Sequence, residues 1–376
     1  MPANFTEQRI KKIFKIVESN VKEKIDFILL KNGTEPHLDL SFFYITGLEA
    51  GLFEGCALAS YPDGETRVYT SKLEEQSALK GKDRFQVITF KDRDHLAKML
   101  KKDLARSSNG SSIGINSNEL THKNFEDLKK LYPKAKFVDL SSAIVRARMV
   151  KDEQEIAAIK QAAQIASKAF PKLLDFLRDG ITEYKVSAFL NATMQDLGAQ
   201  GPSFDTIVAF GKNSAAPHYS PRDVKLRKGQ FALFDYGAKF RRYCSDITRT
   251  VVYGKASKQQ REIYQIVREA NQLGIDASRV GVRAGEIHQK VSRFIDATKY
   301  KGRFIHSTGH TVGLAVHDGA VIHPAFKGTI EENMVFTIEP GIYIPGLGGV
   351  RIEDDIVIRK NKAEVLTTAP KELIEV

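Results

Sequence analysis

Tryptophan is absent from the 376 residues, and cysteine occurs only as Cys56 and Cys244. Two thiols so far apart form neither a metal-binding Cys pair nor a disulfide framework; this usage fits a reducing compartment, and a cytoplasmic location is the expectation. Long apolar runs are also missing. No stretch approaches the roughly 18 consecutive apolar residues of a bilayer span, so no membrane partner is expected. The first twenty residues carry charges at helical spacing instead of an apolar core with a small-residue cleavage site, so no secretory leader is expected either. The chain lacks blocks of five or six like charges as well. Its formal charge is +11, shared as +5 over residues 1–150 and +6 over residues 151–376. A spread excess without an aromatic-interleaved basic stripe describes a solvated surface, and no nucleic-acid partner is expected.

What remains is an ordinary globular composition, 42% hydrophobic and 27% charged, at a length that implies two domains. The first part alternates in type. TEQRIKKIFKIVE has the period of an amphipathic helix, IDFILLK is a short apolar strand, and CALASYPDGETRVYTS reads as a hairpin turning at Pro62, Asp63 and Gly64. A helix near Lys72–Leu79, strand FQVITF, a helix near His95–Leu104, strand SIGI, helix NFEDLKKL and strand KFVDL follow. This describes a small α/β domain over residues 1–147. The pattern then changes near Arg148 to a long helix, DEQEIAAIKQAAQIASKAFPKLLDFL, which opens a second domain over residues 148–376.

The second domain reads as an internal duplication of a helix pair followed by antiparallel strands. GITEYKVSAFLNATMQDLG precedes strands with Asp235 and Asp246; RAGEIHQKVSRFIDA precedes strands with Glu339 and Glu353. Glu183 and Glu286 are 103 positions apart, the first acids 104 and the second acids 107, a nearly constant offset that implies two related halves facing each other. The fold class expected is therefore α+β, with a small α/β domain ahead of a duplicated one.

Chemistry concentrates at the ends of the two halves. FALFDYGAKFRRYCSDITRTVVYG and ENMVFTIEPGIYIPGLGGVRIEDDIVI are apolar strands interrupted by acids. Carboxylates among Phe, Ile and Val are costly to bury unless paired or bound to a cation, so four of them on facing hairpins point to metal. His306, His310, His317 and His323 lie between. Imidazole with several carboxylates suits a hard or borderline divalent ion such as Mn²⁺, Co²⁺ or Fe²⁺. A zinc helix is disfavoured, because Ser307, Thr308 and Gly309 separate His306 from His310 and there is no His-Glu-x-x-His. No Gly-x-Ser-x-Gly elbow occurs, and the Gly346, Gly348, Gly349 run is a strand-connecting turn because no Lys-Ser/Thr follows it.

At these residues the sequence resembles the pita-bread metallopeptidase superfamily of prolidase, aminopeptidase P and methionine aminopeptidase. The likeness covers residues 148–358, and the first domain resembles the one that creatinases and prolidases place ahead of it. Five residues match the family's ligands in type and order: Asp235 in FDYGA, Asp246 in CSDITRT, His310 in TGH, Glu339 in TIEPG and Glu353 in RIED. The resemblance implies two divalent ions per chain, with manganese expected and cobalt, iron or zinc as alternatives. Asp235 would chelate one ion, His310 and Glu339 the other, and Asp246 and Glu353 would bridge them around a hydroxide, with Glu339 also passing a proton to the leaving nitrogen. His218 and His317 match substrate-facing histidines that stabilise the tetrahedral intermediate; Arg351 and His306 match substrate-pocket residues of the proline-specific branch. Arg351 could instead pair with Asp354 or Asp355, and Tyr236 and Tyr243 read as core or strand-edge aromatics. Thr311 departs from the glycine that family members often carry after the ligand histidine, which removes φ > 0 there and narrows the approach to the metal.

The implied activity is hydrolysis of the bond between an N-terminal residue and proline, by a homodimer acting on proline-containing peptides. Proline's imide has no N–H and its ring fixes φ, so that bond calls for a dedicated pocket. Methionine aminopeptidase usually lacks the N-terminal domain. A creatinase-like hydrolase, or an inactive interaction module of the same fold, would have lost part of the ligand set.

Overall fold

The computed structural model describes residues 4–20, 23–103 and 110–376, which divide into two units, Met1–Arg148 and Met149–Val376. In the first unit α1 (Phe5–Asn20) buries Ile10, Ile13, Phe14 and Val17 on one face, as its apolar spacing requires. There follow β1 (Phe27–Lys31), α2 (Leu40–Thr46), β2 (Ala57–Ser60), β3 (Thr66–Ser71), α3 (Glu75–Leu79), β4 (Gln86–Phe90), α4 (Arg93–Asp103), β5 (Ser112–Ile115), α5 (His122–Leu131), β6 (Lys136–Asp139) and α6 (Ser141–Met149). Leu104, the last residue expected in the helix that forms α4, lies outside the described residues. The strands form one sheet in the order β4-β3-β2-β1-β5-β6, antiparallel across β1, β2 and β3 and parallel on both flanks.

Helix α2 has no counterpart in the sequence reading. Ser41 through Thr46 are all buried, so LSFFYIT shows no polar face and hence no helical period. Its ends supply the signal instead. Asp39 caps the Ser41 N–H, and Gly47 closes the helix at φ 63°.

The second unit runs α7 (Glu153–Phe176), α8 (Glu183–Asp196), β7 (Gly201–Pro202), β8 (Ile207–Phe210), β9 (Gln230–Tyr236), β10 (Ala238–Phe240), β11 (Tyr243–Cys244) and β12 (Ile247–Tyr253), then α9 (Lys258–Ala277), α10 (Ala284–Asp296), β13 (Val335–Ile338), β14 (Gly341–Ile344), β15 (Gly348–Arg351), β16 (Asp354–Arg359) and β17 (Lys362–Val365). Both long helices begin at a capping box, Asp152 with Glu155 and Ser257 with Gln260. Each half then forms an antiparallel strand pair, β9 with β12 and β13 with β16. In each, a short side hairpin interrupts the connection: β10–β11 in one half, β14–β15 in the other. The first helix pair packs Phe170, Leu173, Leu190 and Met194 on Phe210 and Phe234. The second packs Ile263, Val267, Val291 and Ile295 on Ile342, Val350 and Ile352.

The phase of the repeat differs from the one the glutamates suggest. Buried Glu183, Val186, Leu190 and Met194 of α8 correspond to buried Ala284, Ile287, Val291 and Ile295 of α10, and Glu286 is exposed. Glu183 therefore matches Ala284, because the buried stripe sets the helix phase and an identity of glutamates does not.

Between the halves lies Arg249, only 1% exposed. Its guanidinium donates to Asp354 Oδ1 at 2.7 Å, to the Glu353 carbonyl at 2.6 Å and to the Ala369 carbonyl at 2.8 Å, joining β12 to β16 and to the C-terminal segment. Lys371 also reaches Asp354, at 2.9 Å. Removing one partner of a buried pair leaves the other charge uncompensated. Arg249→Leu should therefore lower unfolding free energy by about 3–5 kcal/mol, read from the denaturant midpoint; an unchanged midpoint would show that Lys371 alone satisfies Asp354.

Candidate metal centre

The interrupted strand pairs decide where the acids sit. Asp235 lies on β9 opposite Thr248 of β12; Asp246 and Glu353 immediately precede β12 and β16, and Glu339 immediately follows β13. His310 enters on a segment laid against β13: its N–H donates to Thr337 Oγ1 at 3.1 Å, and the Thr337 N–H donates to its carbonyl at 2.9 Å. Gly309 makes this approach feasible, since a Cβ there would stand 1.8 Å from the Thr337 carbonyl oxygen.

Asp235, Asp246, His310, Glu339 and Glu353 converge on one cavity of about 300 Å³, whose wall also includes His218, His306, His317 and Arg351. His310 Nε2 is 3.5 Å from Asp246 Oδ2 and 3.6 Å from Glu339 Oε1. One atom each of Asp246, His310 and Glu353 can be chosen within 4.8 Å of the others. Asp235 Oδ1 and Asp246 Oδ1 are buried with no hydrogen-bond partner. Unpaired carboxylate oxygens beside an imidazole are what a divalent cation needs, so the donor set fits metal.

Electrostatics points the same way. Burial, and then the charge of Glu353, pushes Asp246 well above the carboxylate range; burial, and then Glu339, does the same to Glu353. Burial raises Glu339 to about 8. Burial also drives His310 down to about 3, which keeps its imidazole neutral and able to ligate.

The remaining histidines separate. The His317 ring stacks obliquely 4.1 Å from that of His310. His306 shares a hydrogen bond between Nε2 and the Tyr343 hydroxyl at 2.8 Å, and its Nδ1 lies 3.9 Å from Glu339 Oε2. His323 is not part of the cavity wall; it packs edge-on against His288, 4.7 Å between centroids. Arg351 pairs with neither Asp354 nor Asp355. It is 3% exposed, with Nη2 on Asp235 Oδ2 at 2.5 Å, Nη1 on the Tyr343 hydroxyl at 2.9 Å and Nε on Thr248 Oγ1 at 3.0 Å. Asp354 belongs to Arg249 and Lys371 instead, and Asp355 Oδ2 accepts the Asp246 N–H at 2.8 Å. Tyr236 is buried in the core, and the Tyr243 hydroxyl donates to Glu155 at 3.1 Å.

Thr311 does not crowd the cavity in the way its β-branch suggested. Its hydroxyl donates to the Asp318 carbonyl at 2.8 Å and accepts the Ala320 N–H at 2.9 Å, closing the loop that bears His317, and its φ is not positive. Thr248, Thr337 and Tyr343 are the polar partners that the sequence reading missed. Thr248 donates to Glu353 at 2.6 Å and Thr337 to Glu339 at 3.4 Å. Spacing holds the clue for the threonines, because each stands two residues from an acid, Asp246 or Glu339, on extended backbone and so shares its face.

Residues 157–360 match the model of metallopeptidase family M24, and residues 9–150 that of the creatinase/prolidase N-terminal domain. The chain belongs to metallopeptidase family M24. Among its M24 relatives, the Xaa-Pro dipeptidase of Pyrococcus furiosus is 34% identical over 98% of this chain and 100% of its own length. Of solved structures, an Xaa-Pro dipeptidase from Bacillus anthracis matches with TM-score 0.89 at 32% identity, covering 99% of this chain and 100% of that one. An X-Pro aminopeptidase from Thermotoga maritima matches with TM-score 0.87 at 33% identity, covering 94% and 98%. The second unit is thus the pita-bread domain of the M24 family and the first its creatinase/prolidase companion, and the family's chemistry calls for divalent metal ions.

The pKa directions fix how the metal-free M24 chain should respond to pH. Glu339 binds its proton more tightly folded, about 8, than at the ordinary 4.5, so its stabilising contribution is full below 4.5 and is lost as pH rises to about 8. His306 and His310, near 3 when folded against an ordinary 6.5, act oppositely, but only below 6.5. The melting temperature of metal-free protein should therefore fall from about pH 6.5 to 8, and saturating Mn²⁺ should abolish the fall. A metal-free melting temperature that rises across this window contradicts the assignment of charge.

Proposed function

We propose that this M24 metallopeptidase is an exopeptidase cleaving the bond between an N-terminal residue and proline, with two divalent ions, manganese foremost, held by Asp235, Asp246, His310, Glu339 and Glu353. The observation that carries the reading is the convergence of these five side chains, with unpaired oxygens on Asp235 and Asp246, on a cavity that three further histidines also line. Bound ions would activate the attacking water and polarise the scissile carbonyl.

The chain's own groups do the rest. Glu339, at the cavity wall beside His310, would take a proton from the attacking water and deliver it to the leaving imide nitrogen. His317, lowered by burial, stays neutral at pH 7 and keeps an N–H to offer. With His218, which like it is exposed at the cavity wall, it would donate to the oxyanion that develops on the carbonyl. Arg351 orders Asp235 and the Tyr343 hydroxyl, and Tyr343 in turn holds His306 at the pocket wall. Proline specificity is supported by the relatives named Xaa-Pro dipeptidase and X-Pro aminopeptidase and by the N-terminal domain they share with this chain. A creatinase-like or inactive module is disfavoured by the complete ligand set, and a methionine aminopeptidase by that same N-terminal domain. A cytoplasmic homodimer goes with this reading; both cysteines are free and buried, and no described helix is long and apolar enough to cross a membrane.

Asp246→Asn exchanges a carboxylate for a neutral amide and should leave less than about a tenth of wild-type kcat on Xaa-Pro dipeptides with metal in excess, a loss above ~1.4 kcal/mol. Retention of more than that, in a cooperatively folded variant, removes Asp246 from the ligand set. For Arg351→Met, the occupied guanidinium leads to a different expectation: metal is retained less well, and activity on Xaa-Pro dipeptides and on Xaa-Pro tripeptides falls by the same factor. Unequal losses would make Arg351 a reader of the substrate's C-terminal carboxylate.

A further inference from the structure

One buried carboxylate in the catalytic unit has no ion-pair partner among the described residues and stands apart from the metal-ligand set. Glu183, the first residue of α8, is fully buried. Its Oε1 accepts the Phe210 N–H at 2.8 Å and the Asn213 side-chain amide at 3.1 Å. Its Oε2 accepts the Tyr219 hydroxyl at 2.9 Å and the Arg222 N–H at 3.0 Å. Asn213 also donates to the Tyr219 hydroxyl, at 2.8 Å, so the donors are linked to one another. A carboxylate has about four acceptor sites, and here all are filled by one stretch of chain. Hydrogen bonds to a carboxylate are among the stronger ones, and losing one at a buried carboxylate leaves an oxygen unsatisfied.

That stretch, residues 210–222, carries His218, which lines the cavity beside Pro217. Its opposite side is fixed as well. Ser214 Oγ accepts the Gly349 N–H at 2.8 Å and donates to the Gly211 carbonyl at 2.7 Å, so the turn Gly211–Ala215 lies on β15, the strand that ends in Arg351. A Cβ at Gly349 would stand 2.2 Å from the Ser214 carbonyl oxygen, which explains a glycine in a run that offers nothing to phosphate. The arrangement is confined to one half of the duplication: the matching position of α10 is Ala284, and Glu286 is exposed.

We propose that Glu183 is a positioning residue for His218: it clamps the 210–222 loop so that the imidazole faces the cavity, and it influences the reaction through that histidine alone. The proposal rests on the transition-state role given to His218 above. Glu183→Gln is the informative change, because it keeps the side chain's shape but turns an NH₂ group toward one of the two donor pairs.

Two measurements on the full metal-loaded chain test it. The first is hydrogen–deuterium exchange without substrate, in which the 210–222 segment should exchange about tenfold faster in Glu183→Gln while β13 is unchanged. The second is a double-mutant cycle on an Xaa-Pro dipeptide, with metal content checked in every variant. Glu183→Gln should lower kcat by about tenfold with KM changed less than about threefold, and in a His218→Ala background the same change should lower kcat by less than about twofold. Equal losses in both backgrounds, an unchanged exchange rate, or a His218→Ala enzyme with wild-type kcat would each overturn the proposal. Should Glu183→Gln fail to fold, Tyr219→Phe removes a single donor and should give a smaller loss with the same non-additivity; additivity there overturns the proposal equally. A wild-type chain inert toward Xaa-Pro dipeptides would refute the proposed function and the coupling to catalysis, whereas the exchange experiment would still decide whether Glu183 holds the loop.

Discussion

Five buried carboxyl groups and a sixth, Glu339, that is half-buried set the terms for the rest of this structure, all within two facing strand pairs. Asp235, Asp246, Glu339, Glu353, Asp354 and Asp355 share the region with three side-chain cations, Arg249, Arg351 and Lys371. Burying unpaired charge is costly by several kcal/mol per ion, so the distribution of those cations matters. Asp354 takes Arg249 and Lys371, and Asp235 takes Arg351. Asp246 and Glu353 are left pressed together, and Asp355 gives one oxygen to the Asp246 N–H while burial pushes its carboxyl well above the usual range. A divalent cation is the natural complement of such an arrangement, because its charge outweighs that of any local side chain and inverts the pKa pattern around it.

Local backbone geometry makes the convergence feasible. In both halves a small side hairpin interrupts the strand pair, and the acids sit where the main ladder ends or resumes. Close crossings at these points require residues without a side chain: a Cβ at Gly237 would meet the Ser245 carbonyl at 1.9 Å, and one at Gly309 would meet that of Thr337 at 1.8 Å. The glycine after Asp235's strand and the glycine before His310 are therefore part of the same construction as the acids themselves. Threonine hydroxyls then fix carboxylate orientation, Thr248 of β12 for Glu353 and Thr337, two residues earlier on the same segment, for Glu339.

Much of this was legible in the sequence because acids in apolar strands are anomalous wherever they occur, and the strand and helix periods were strong enough to frame them. Partner choice was not legible. Arg351 was read as a substrate-pocket residue, with Asp354 or Asp355 as its alternative partners; it crosses to Asp235 on the other half, and which carboxylate an arginine meets is decided by how the two halves face. His323 looked like one of four clustered histidines and proved to pack on His288, outside the cavity wall. Helix α2 escaped because complete burial erases the period that marks a helix. The duplication was visible but out of phase: matching Glu183 with Glu286 hid the fact that one glutamate is buried as a clamp and the other is exposed.

The proposed hydrolysis requires that the uncompensated carboxylates hold metal. Elemental analysis of the protein purified without chelator tests this most directly, and about two transition-metal ions per folded chain are expected, with manganese restoring them after stripping. A chain that is folded and monodisperse yet carries no transition metal, and takes up none when Mn²⁺ is added, would contradict it.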